Sequence, residues 1–290
     1  MTELRGRNAI LTGANGGLGS YIAEALMAEG VNLFLVGFLH PGLESLANRI
    51  RERGCRSGFF AADLRDAPQR EYIALEAERV LGPIDLLINN AGVEYSCAYH
   101  ELSVVQIEEV LGVNLTASML LTHRLLPGML ERGRGHIVNI SSLAGKSGPA
   151  FQEPYAASKA GLTAFTYSLR ATYRRRGVSA SVLAPGFVDA GIYSRLKARL
   201  GHGAPWLIGA VGPERVARAV VRVIRKDTPE KVISLFPVWP VLGLIAVMPR
   251  IGLWLVERLG THEFFRKAAA SDPERQAATD AVAGGSDSKP

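Results

Sequence analysis

Seven short runs rich in Val, Ile and Leu punctuate the chain: "NAILT", "VNLFLVG", "SGFFAAD", "IDLLINN", "HIVNIS", "VSASVLAP" and "KVISLF". Helical spacing of apolar residues fills the segments between them. A strand that is apolar at nearly every position must be covered on both faces, the situation of a parallel sheet buried between helices. The repeating strand–helix order adds right-handed crossovers. The pattern therefore specifies an α/β fold with a doubly wound, seven-stranded, mainly parallel sheet and about six helices over residues 5–236. Gly30, Gly54, Gly82 and Gly177 each follow a helical stretch, where a left-handed closing residue is wanted. Pro213 suits the first turn of "PERVARAVVRVIRK". At 48% hydrophobic and 21% charged residues, the chain has ample material for the core such a sheet requires.

The first run leads into "LTGANGGLGSYIAEAL". Gly13 permits a tight exit from the strand. Gly17 lets the backbone approach a diphosphate, and Gly19 lets the following helix pack close to the sheet. Asn15, Gly16 and Leu18 complete the loop, and the helix N-terminus offers N–H groups and a positive dipole end to the phosphates. Dinucleotide sites often carry an acid at the end of the second strand, bonded to the adenosine ribose. Here that stretch reads "FLVGFLHPG", and neither Gly37 nor Phe38 can serve. Loss of the acid removes a repulsion against a 2′-phosphate. NADP is therefore favoured over NAD, with His40 and Arg49 as the substitutes available to meet that phosphate.

Other chemistry finds little support. Cys55 and Cys97 fit no metal or redox spacing and read as inert thiols in a reduced, cytoplasmic setting. None of the six histidines forms a catalytic constellation or metal cluster, and His136, on an expected strand, reads as structural. "MTELRGRNAI" has no secretion signal. The net charge is +6, and between Thr166 and Lys226 twelve Arg or Lys face two acids, Asp189 and Glu214. That band reads as a solvated basic face or as an attraction to an anionic membrane or acidic carrier. No nucleic-acid motif accompanies it.

The end of the chain differs in character. Eighteen uncharged residues separate Lys231 from Arg250, interrupted by Ser234, Pro237, Pro240 and Pro249. An apolar helix followed by the amphipathic "RIGLWLVERLG" is expected rather than a membrane-spanning one. Such helices can pack inside the protein or its dimer, line a substrate mouth or make peripheral membrane contact through residues 237–260. The chain accordingly divides into a dinucleotide-binding and catalytic domain over residues 1–236, a helical extension of the same domain over 237–267 and a disordered tail over 268–290.

In order along the chain, "TGANGGLG", "AADL", "NNAG", "VNL", "IVNISSLAG", "YAASK" and "APGFV" resemble the short-chain dehydrogenase/reductase family in its compact form. The resemblance covers residues 5–236 and implies a Rossmann-like fold, a nicotinamide cofactor and hydride transfer. It implies that Asp63 meets the adenine amino group, although the same residue suits a turn after a strand. It implies that Asn89, Asn90, Ala91 and Gly92 wall the cofactor, and that Pro185, Gly186 and Val188 cover the nicotinamide. Asn114 would sit in a kinked helix and hold a water near Lys159. Ser142 aligns with the family's catalytic serine, while Ser141, adjacent on an extended segment, should point the opposite way. The chain departs from the family at Asp189, where Thr is common, which would put a carboxylate near the nicotinamide. Residues 237–259 are also longer and more apolar than in the shortest members, similar to branches that handle lipophilic alcohols and ketones.

In "EPYAASKAGL", Tyr155 and Lys159 lie four apart and share one helix face. An ammonium there favours the phenolate over a free phenol with a pKa of about 10. A phenol so tuned exchanges a proton with a carbonyl or alcohol oxygen as hydride moves. Ser142 would orient that oxygen, and Lys159 would also reach the nicotinamide ribose. The segment "DAGIYSRLKARLGHGAPWLIGAVG" reads as a lid, with Phe187, Ile192, Tyr193, Leu196 and Trp206 lining the site and Arg195, Lys197 and Arg199 outside. The expected substrate is a hydrophobic ketone or secondary alcohol of acyl-chain, sterol or retinoid type, and lipid metabolism its setting. Family resemblance and the small residues of "AASKAGLTAFTYSLRA" imply a homo-oligomer. The alternatives are a catalytically silent dinucleotide sensor and a membrane-peripheral scaffold.

Overall fold

The computed structural model describes residues 3–38, 40 and 42–271. All seven apolar runs form strands of one parallel sheet. In chain order they are β1 (Asn8–Thr12), β2 (Asn32–Gly37), β3 (Ser57–Ala61), β4 (Leu86–Asn89), β5 (Gly135–Ile140), β6 (Val178–Pro185) and, after two short strands, β9 (Glu230–Ile233). Their spatial order is β3-β2-β1-β4-β5-β6-β9, and every neighbouring pair is parallel. The short strands β7 (Phe187–Val188) and β8 (Ala210–Val211) pair with each other outside that sheet.

Continuous apolarity has the expected cause: successive side chains enter cores on opposite faces. Ala9 and Leu11 of β1 face α1 (Gly17–Ala28), α2 (Leu43–Glu52) and α9 (Pro213–Lys226), whereas Ile10 faces α3 (Ala67–Leu81) and α5 (Ala117–Glu131). On the second side α7 (Glu153–Tyr173) adds Leu169.

Among the described residues, nine α-helices precede residue 236 where about six were expected. One reason is α4 (Val104–Leu111), which runs into α5 through a π-turn at Gly112–Thr116, so a single long helix divides in two. The segment Val104–Glu131 is long and apolar enough to cross a membrane, but it packs Val110, Val113, Ala117, Leu121 and Leu125 into the protein. The other reasons are the four-residue α6 (Ala144–Ser147) and α8 (Gly191–Leu200), which lies in the expected lid.

The C-terminal extension forms α10 (Trp239–Val247), α11 (Pro249–Arg258) and a third helix, α12 (Thr261–Ala270), that was not expected. Phe264, Phe265 and Ala268 of α12 pack on Tyr193 and Leu196 of α8. The tail expected from residue 268 is corrected at its start, because Ala268 and Ala269 are buried in α12. Residues 272–290, the remainder of that tail, lie outside the described residues.

The glycines placed at helix ends all have positive φ. At Gly177 the value is +83°, and a Cβ there would also come within 1.9 Å of Gly133 O. His136 is structural as expected: it is buried, its Nε2 lies 2.8 Å from Ser181 Oγ, and burial brings its pKa down to about 4.

Asp227 closes α9 in the left-handed conformation and joins three elements. Its carboxylate accepts from Arg170 Nη1 at 2.6 Å, from Arg174 Nε at 2.7 Å and from Ser179 Oγ at 2.5 Å. Burial opposes ionisation, but Arg170, Ser179 and Arg174 prevail and hold the carboxyl well below the usual range. Because the folded value is depressed, the stabilisation is present above the unfolded value, about 3.9, and is lost as pH falls towards the folded one. Asp227→Asn should lower the unfolding free energy at pH 7 by about 1–2 kcal/mol, allowing for its partial exposure. Urea titrations at pH 7 and pH 3 should show the gap between the two proteins narrowing in acid.

Candidate active site

The strand order reverses between β1 and β4, and a cleft opens there at the carboxyl ends of the strands. Its volume is about 430 Å³. The turn between β1 and α1 forms one wall. A Cβ on Gly13 would stand 2.9 Å from Ala91 Cα, and one on Gly19 would stand 2.0 Å from Gly13 O. Glycine is therefore required by space at both positions, and at Gly13 also by a φ of +64°. Gly17 approaches the chain from across the cleft, since its Cβ would lie 2.3 Å from Gly191 N. The N-cap of α1, Gly16, makes no side-chain cap, and the first turn carries no acid. Its N–H groups and dipole end are thus available to an anion.

The end of β4 is tied to this turn. Asn90 Nδ2 donates to Thr12 O at 3.0 Å and to Gly13 O at 3.1 Å, and Thr12 Oγ1 accepts from the N–H groups of Asn90 and Ala91. Asn89 is buried and donates to Asn139 Oδ1 at 2.8 Å, which makes it a strand tie rather than part of the cleft wall.

Ser142, Tyr155 and Lys159 meet on the cleft floor. Ser142 leaves the end of β5 and lines the cleft with Tyr155, its Oγ accepting from Ala144 N at 3.1 Å. Ser141 turns the other way, its Oγ donating to Lys159 O at 2.8 Å within reach of Thr163 Oγ1. Lys159 is 4% exposed and donates Nζ to Ile140 O at 2.9 Å. That nitrogen lies 5.6 Å from the centroid of the Tyr155 ring.

The electrostatics differ from the sequence expectation of an acidified phenol. Burial pushes Tyr155 up to about 12; the Ser142 hydrogen bond opposes the rise and the Glu94 charge adds to it. Burial also lowers Lys159 to about 8. The ammonium sits by the ring and is anchored to a carbonyl, so its attraction does not overcome desolvation of the phenolate.

Asn114 lies in the π-turn, the kink expected from sequence, and is fully buried. Its Oδ1 accepts from Val93 N at 2.8 Å, and its Nδ2 donates to Val93 O at 2.9 Å and Ser158 Oγ at 3.1 Å. A Cβ on Gly92 would be 3.4 Å from both Asn114 Oδ1 and Lys159 Nζ, so these two groups converge behind the floor.

Of the remaining sequence candidates, Gly16, Gly17, Leu18, Ala91, Gly92, Pro185, Gly186 and Val188 line the cleft, whereas Asn15 and Asp63 do not border it. The Asp63 carboxylate is taken by Arg65, with Nη2 at 2.7 Å from Oδ2, which favours the turn role. Asn15 Oδ1 instead sits against Gly37, 2.2 Å from where a Cβ would be. Arg49 is corrected as a phosphate ligand: it pairs with Glu24 at 3.3 Å and lines a groove with Arg5, Gly6 and Gly30 at the other end of the strands. Asp189 is also corrected. It pairs with Lys197 at 3.3 Å and does not border the cleft.

The expected apolar lining holds for Phe187, Ile192, Tyr193 and Leu196. Trp206 is 80% exposed, and its neighbours Leu207 and Ile208 line the cleft instead. Arg195, expected outside, borders the rim while remaining exposed. Val241, Leu242, Val256 and Phe265 extend the lining onto α10–α12. Polar residues of the cleft that were missed include Glu94 and Gln152. Their only sequence signal is proximity to "NNAG" and to Tyr155.

Replacing Asn114 with Ala should leave the N–H and C=O of Val93 without partners. The expected loss is about 2–4 kcal/mol of stability, read as a lower urea midpoint with an unchanged m-value.

Residues 7–200 match the family model described as short chain dehydrogenase. The chain is 38% identical over 274 residues to the ketoacyl reductase HetN of Nostoc sp., covering 93% of this chain and 94% of that protein. An alignment of that length takes in the C-terminal helices. The D-beta-hydroxybutyrate dehydrogenase of Cupriavidus necator is 31% identical over 185 residues, 64% of this chain and 72% of its own. A crystal structure of a metagenomic short-chain oxidoreductase in complex with NADP superposes with a TM-score of 0.67 at 30% identity, over 80% of this chain and 98% of that one.

Proposed function

The chain belongs to the short-chain dehydrogenase family, and from that premise we propose that it interconverts a hydrophobic ketone and its secondary alcohol using NADP. It is an NAD(P)-dependent oxidoreductase. The observation that carries the substrate class is the meeting of Ser142, Tyr155 and Lys159 in a cleft whose walls are mostly apolar.

The residues present fit a dinucleotide. Gly13, Gly17 and Gly19 leave backbone where side chains would intrude, and the uncapped α1 N-terminus suits a diphosphate. At the end of β2, Gly37 offers no carboxylate to repel a 2′-phosphate, and the matched structure holds NADP. Gly13, Gly16, Gly17, Leu18 and Gly19 would hold the phosphates. Asn90, Ala91, Gly92, Pro185, Gly186 and Val188 would flank the rest.

When bound, the nicotinamide supplies or accepts the hydride. Tyr155 donates its hydroxyl proton to the carbonyl oxygen in reduction and accepts one in oxidation. Ser142 Oγ bonds the same oxygen and fixes its direction. Lys159 is buried beside the ring, where its charge favours the phenolate left after proton transfer. Asn114 braces the segment that carries Lys159, through Ser158, and its Oδ1 shares the space beside Gly92 with the ammonium. A phenol pushed up to about 12 is protonated throughout the neutral range and ready for reduction. Alcohol oxidation needs the phenolate and therefore accelerates as pH rises.

An acyl-chain ketone is the favoured substrate, in keeping with the ketoacyl reductase relative. Residues 1–236 would carry the dinucleotide site and the chemistry, and the helices after them would complete the substrate end. Met119, Leu120 and Tyr167 are exposed on α5 and α7 and would contribute to a homo-oligomer. Kinetics with NADPH and ketones of graded length should show kcat/KM rising about three- to fourfold per methylene until the cleft is full. Tyr155→Phe should lower kcat about 10²- to 10⁴-fold with NADPH binding, followed by fluorescence, retained. Preference for short polar ketones, or full turnover by that variant, would defeat the proposal.

A specific set of exposures favours a membrane contact at the same end. The chain's three tryptophans, Trp206, Trp239 and Trp254, are 80%, 57% and 51% exposed around the cleft mouth. α10 buries no residue, and Arg250 and Arg258 are exposed on the following helix, α11. Tryptophan with nearby cations suits an anionic lipid interface. The protein should float with anionic vesicles, and replacing all three tryptophans with Ser should abolish flotation without loss of fold.

A further inference from the structure

The connection from Ser142 to Tyr155 carries two left-handed residues. Ser142 leads into α6, which closes at Gly148 with a φ of +56°, and α7 starts at Glu153. The second left-handed residue is Phe151, with a φ of +62°. Among the described residues Asp227 is the other non-glycine residue with positive φ, and it closes α9 with a short polar side chain that tolerates the conformation. A phenylalanine does not tolerate it. Its Cβ crowds the following carbonyl, so the conformation persists only where the surroundings hold it.

The surroundings of Phe151 are the aromatic cluster at the substrate end. Its half-buried side chain packs against the group formed by Tyr193, Leu196, Phe264, Phe265 and Ala268, which joins α8 to α12. Phe151 itself does not border the cleft. Gln152, the next residue, does border it and is 1% exposed. The Gln152 side chain donates to Ser96 Oγ at 2.8 Å and to Glu94 Oε1. Its carbonyl accepts from Ala156 N at 2.7 Å, the bond that opens the α7 ladder. No side chain caps α7 at Gln152, so the backbone of residues 151 and 152 fixes where the helix begins. Tyr155 stands in the first turn of that helix, three residues past Gln152.

We propose that Phe151 is a positioning residue for Tyr155: its ring, gripped by the aromatic cluster, keeps residue 151 left-handed, and that conformation sets the start of α7 and the place of the phenol beside Ser142. The inference rests on the reductase reading, in which Tyr155 transfers the proton. Because Phe151 lies outside the cleft, it acts on the alignment of the chemical step and not on substrate binding. A smaller side chain at 151 loses the grip, relaxes to negative φ and turns Gln152 and the first turn of α7 with it. Glycine is the exception, since without a Cβ it occupies the left-handed region at no steric cost. Held strain therefore predicts an order that side-chain size does not, with Phe151→Gly more active than Phe151→Ala.

The test measures kcat and KM with NADPH and the most rapidly reduced ketone of the graded-length series, on the full chain, with sites counted by NADPH fluorescence. Phe151→Ala should lower kcat about tenfold while KM changes less than about twofold. Phe151→Leu, which keeps an apolar grip, should lose less than about threefold in kcat. Phe151→Gly should recover about fivefold or more of the kcat lost in Phe151→Ala. A purely structural role would follow size, with glycine the worst of the series. A kcat in Phe151→Gly no higher than in Phe151→Ala overturns the proposal, as does native kcat in Phe151→Ala. If Phe151→Ala does not fold, Phe151→Asn and Phe151→Ser give the same comparison, because Asn enters the left-handed region readily and Ser does not. Absence of turnover on every ketone would defeat the reductase reading separately. Hydrogen exchange at the Ala156 amide then tests the positioning by itself, and it should be about fivefold faster in Phe151→Ala than in Phe151→Gly. Equal exchange in the two variants overturns the proposal.

Discussion

The hydrogen bonds that join the end of β1 to the end of β4 govern everything built at this end of the sheet. Asn90 donates to two successive carbonyls, Thr12 and Gly13, while Thr12 returns its hydroxyl to the backbone of Asn90 and Ala91. The two strands diverge immediately afterwards, one into α1 and the other towards Val93. A doubly wound sheet always splits where its order reverses. Here side chains fix the width of that split, so the glycine turn faces the Ser142–Tyr155–Lys159 group across a set distance. Loss of the Asn90 side chain would leave two backbone acceptors without their donor at the one place where the sheet is not self-supporting.

The buried pair beyond that split shows desolvation outweighing a local charge. Sequence spacing brings Lys159 beside Tyr155, and an ammonium near a phenol ordinarily acidifies it. In the folded chain the phenol rises and the ammonium falls, both because burial penalises the charged form. The two shifts have opposite consequences for chemistry. The first holds the tyrosine protonated and ready to donate, whereas the second weakens the charge that favours the phenolate. The phenolate formed in the step is a newly created buried anion, and Lys159 and Ser142 are already positioned to receive it.

Legibility from sequence followed physical scale. The seven strands were readable because burial on both faces leaves an unbroken apolar signature, and the glycine turn because steric need admits one residue type. Ser142, Tyr155, Lys159 and Asn114 came from motif order, and the structure brings the first three into one cleft and Asn114 against Ser158 behind it. Arg49 failed because position in the chain does not reveal which end of a helix faces the phosphate loop. Asp63 and Asp189 stand outside the cleft lining, their carboxylates paired with nearby Arg65 and Lys197. Trp206 gave way to Leu207 because no periodicity orients a residue in an irregular loop. Glu94 had no signature, since an acid that turns inward has the same spacing as one that turns to solvent.

α12 is the clearest case of tertiary context overriding composition. Its sequence, "THEFFRKAAA", ends in small residues that read as the start of a tail. Phe264 and Phe265 change that outcome. Phe264 meets Phe187 edge-on and Phe265 stacks on it, at centroid distances of 5.1 and 5.8 Å, and Phe187 in turn lies 5.0 Å from Tyr193. This aromatic group joins the strand after β6, the lid helix α8 and the last helix of the chain. Arg199 adds a bond to Ala268 O at 2.8 Å, tying α8 directly to the end of α12. The lid is therefore fastened to the C-terminal extension, and movement of α8 over the cleft has to carry α12 with it or break the aromatic contacts. The match to HetN spans this extension as well as the sheet. The substrate end of the cleft is thus a joint product of the lid and the C-terminus, and substitutions in either should alter substrate choice before they alter the chemistry at Tyr155.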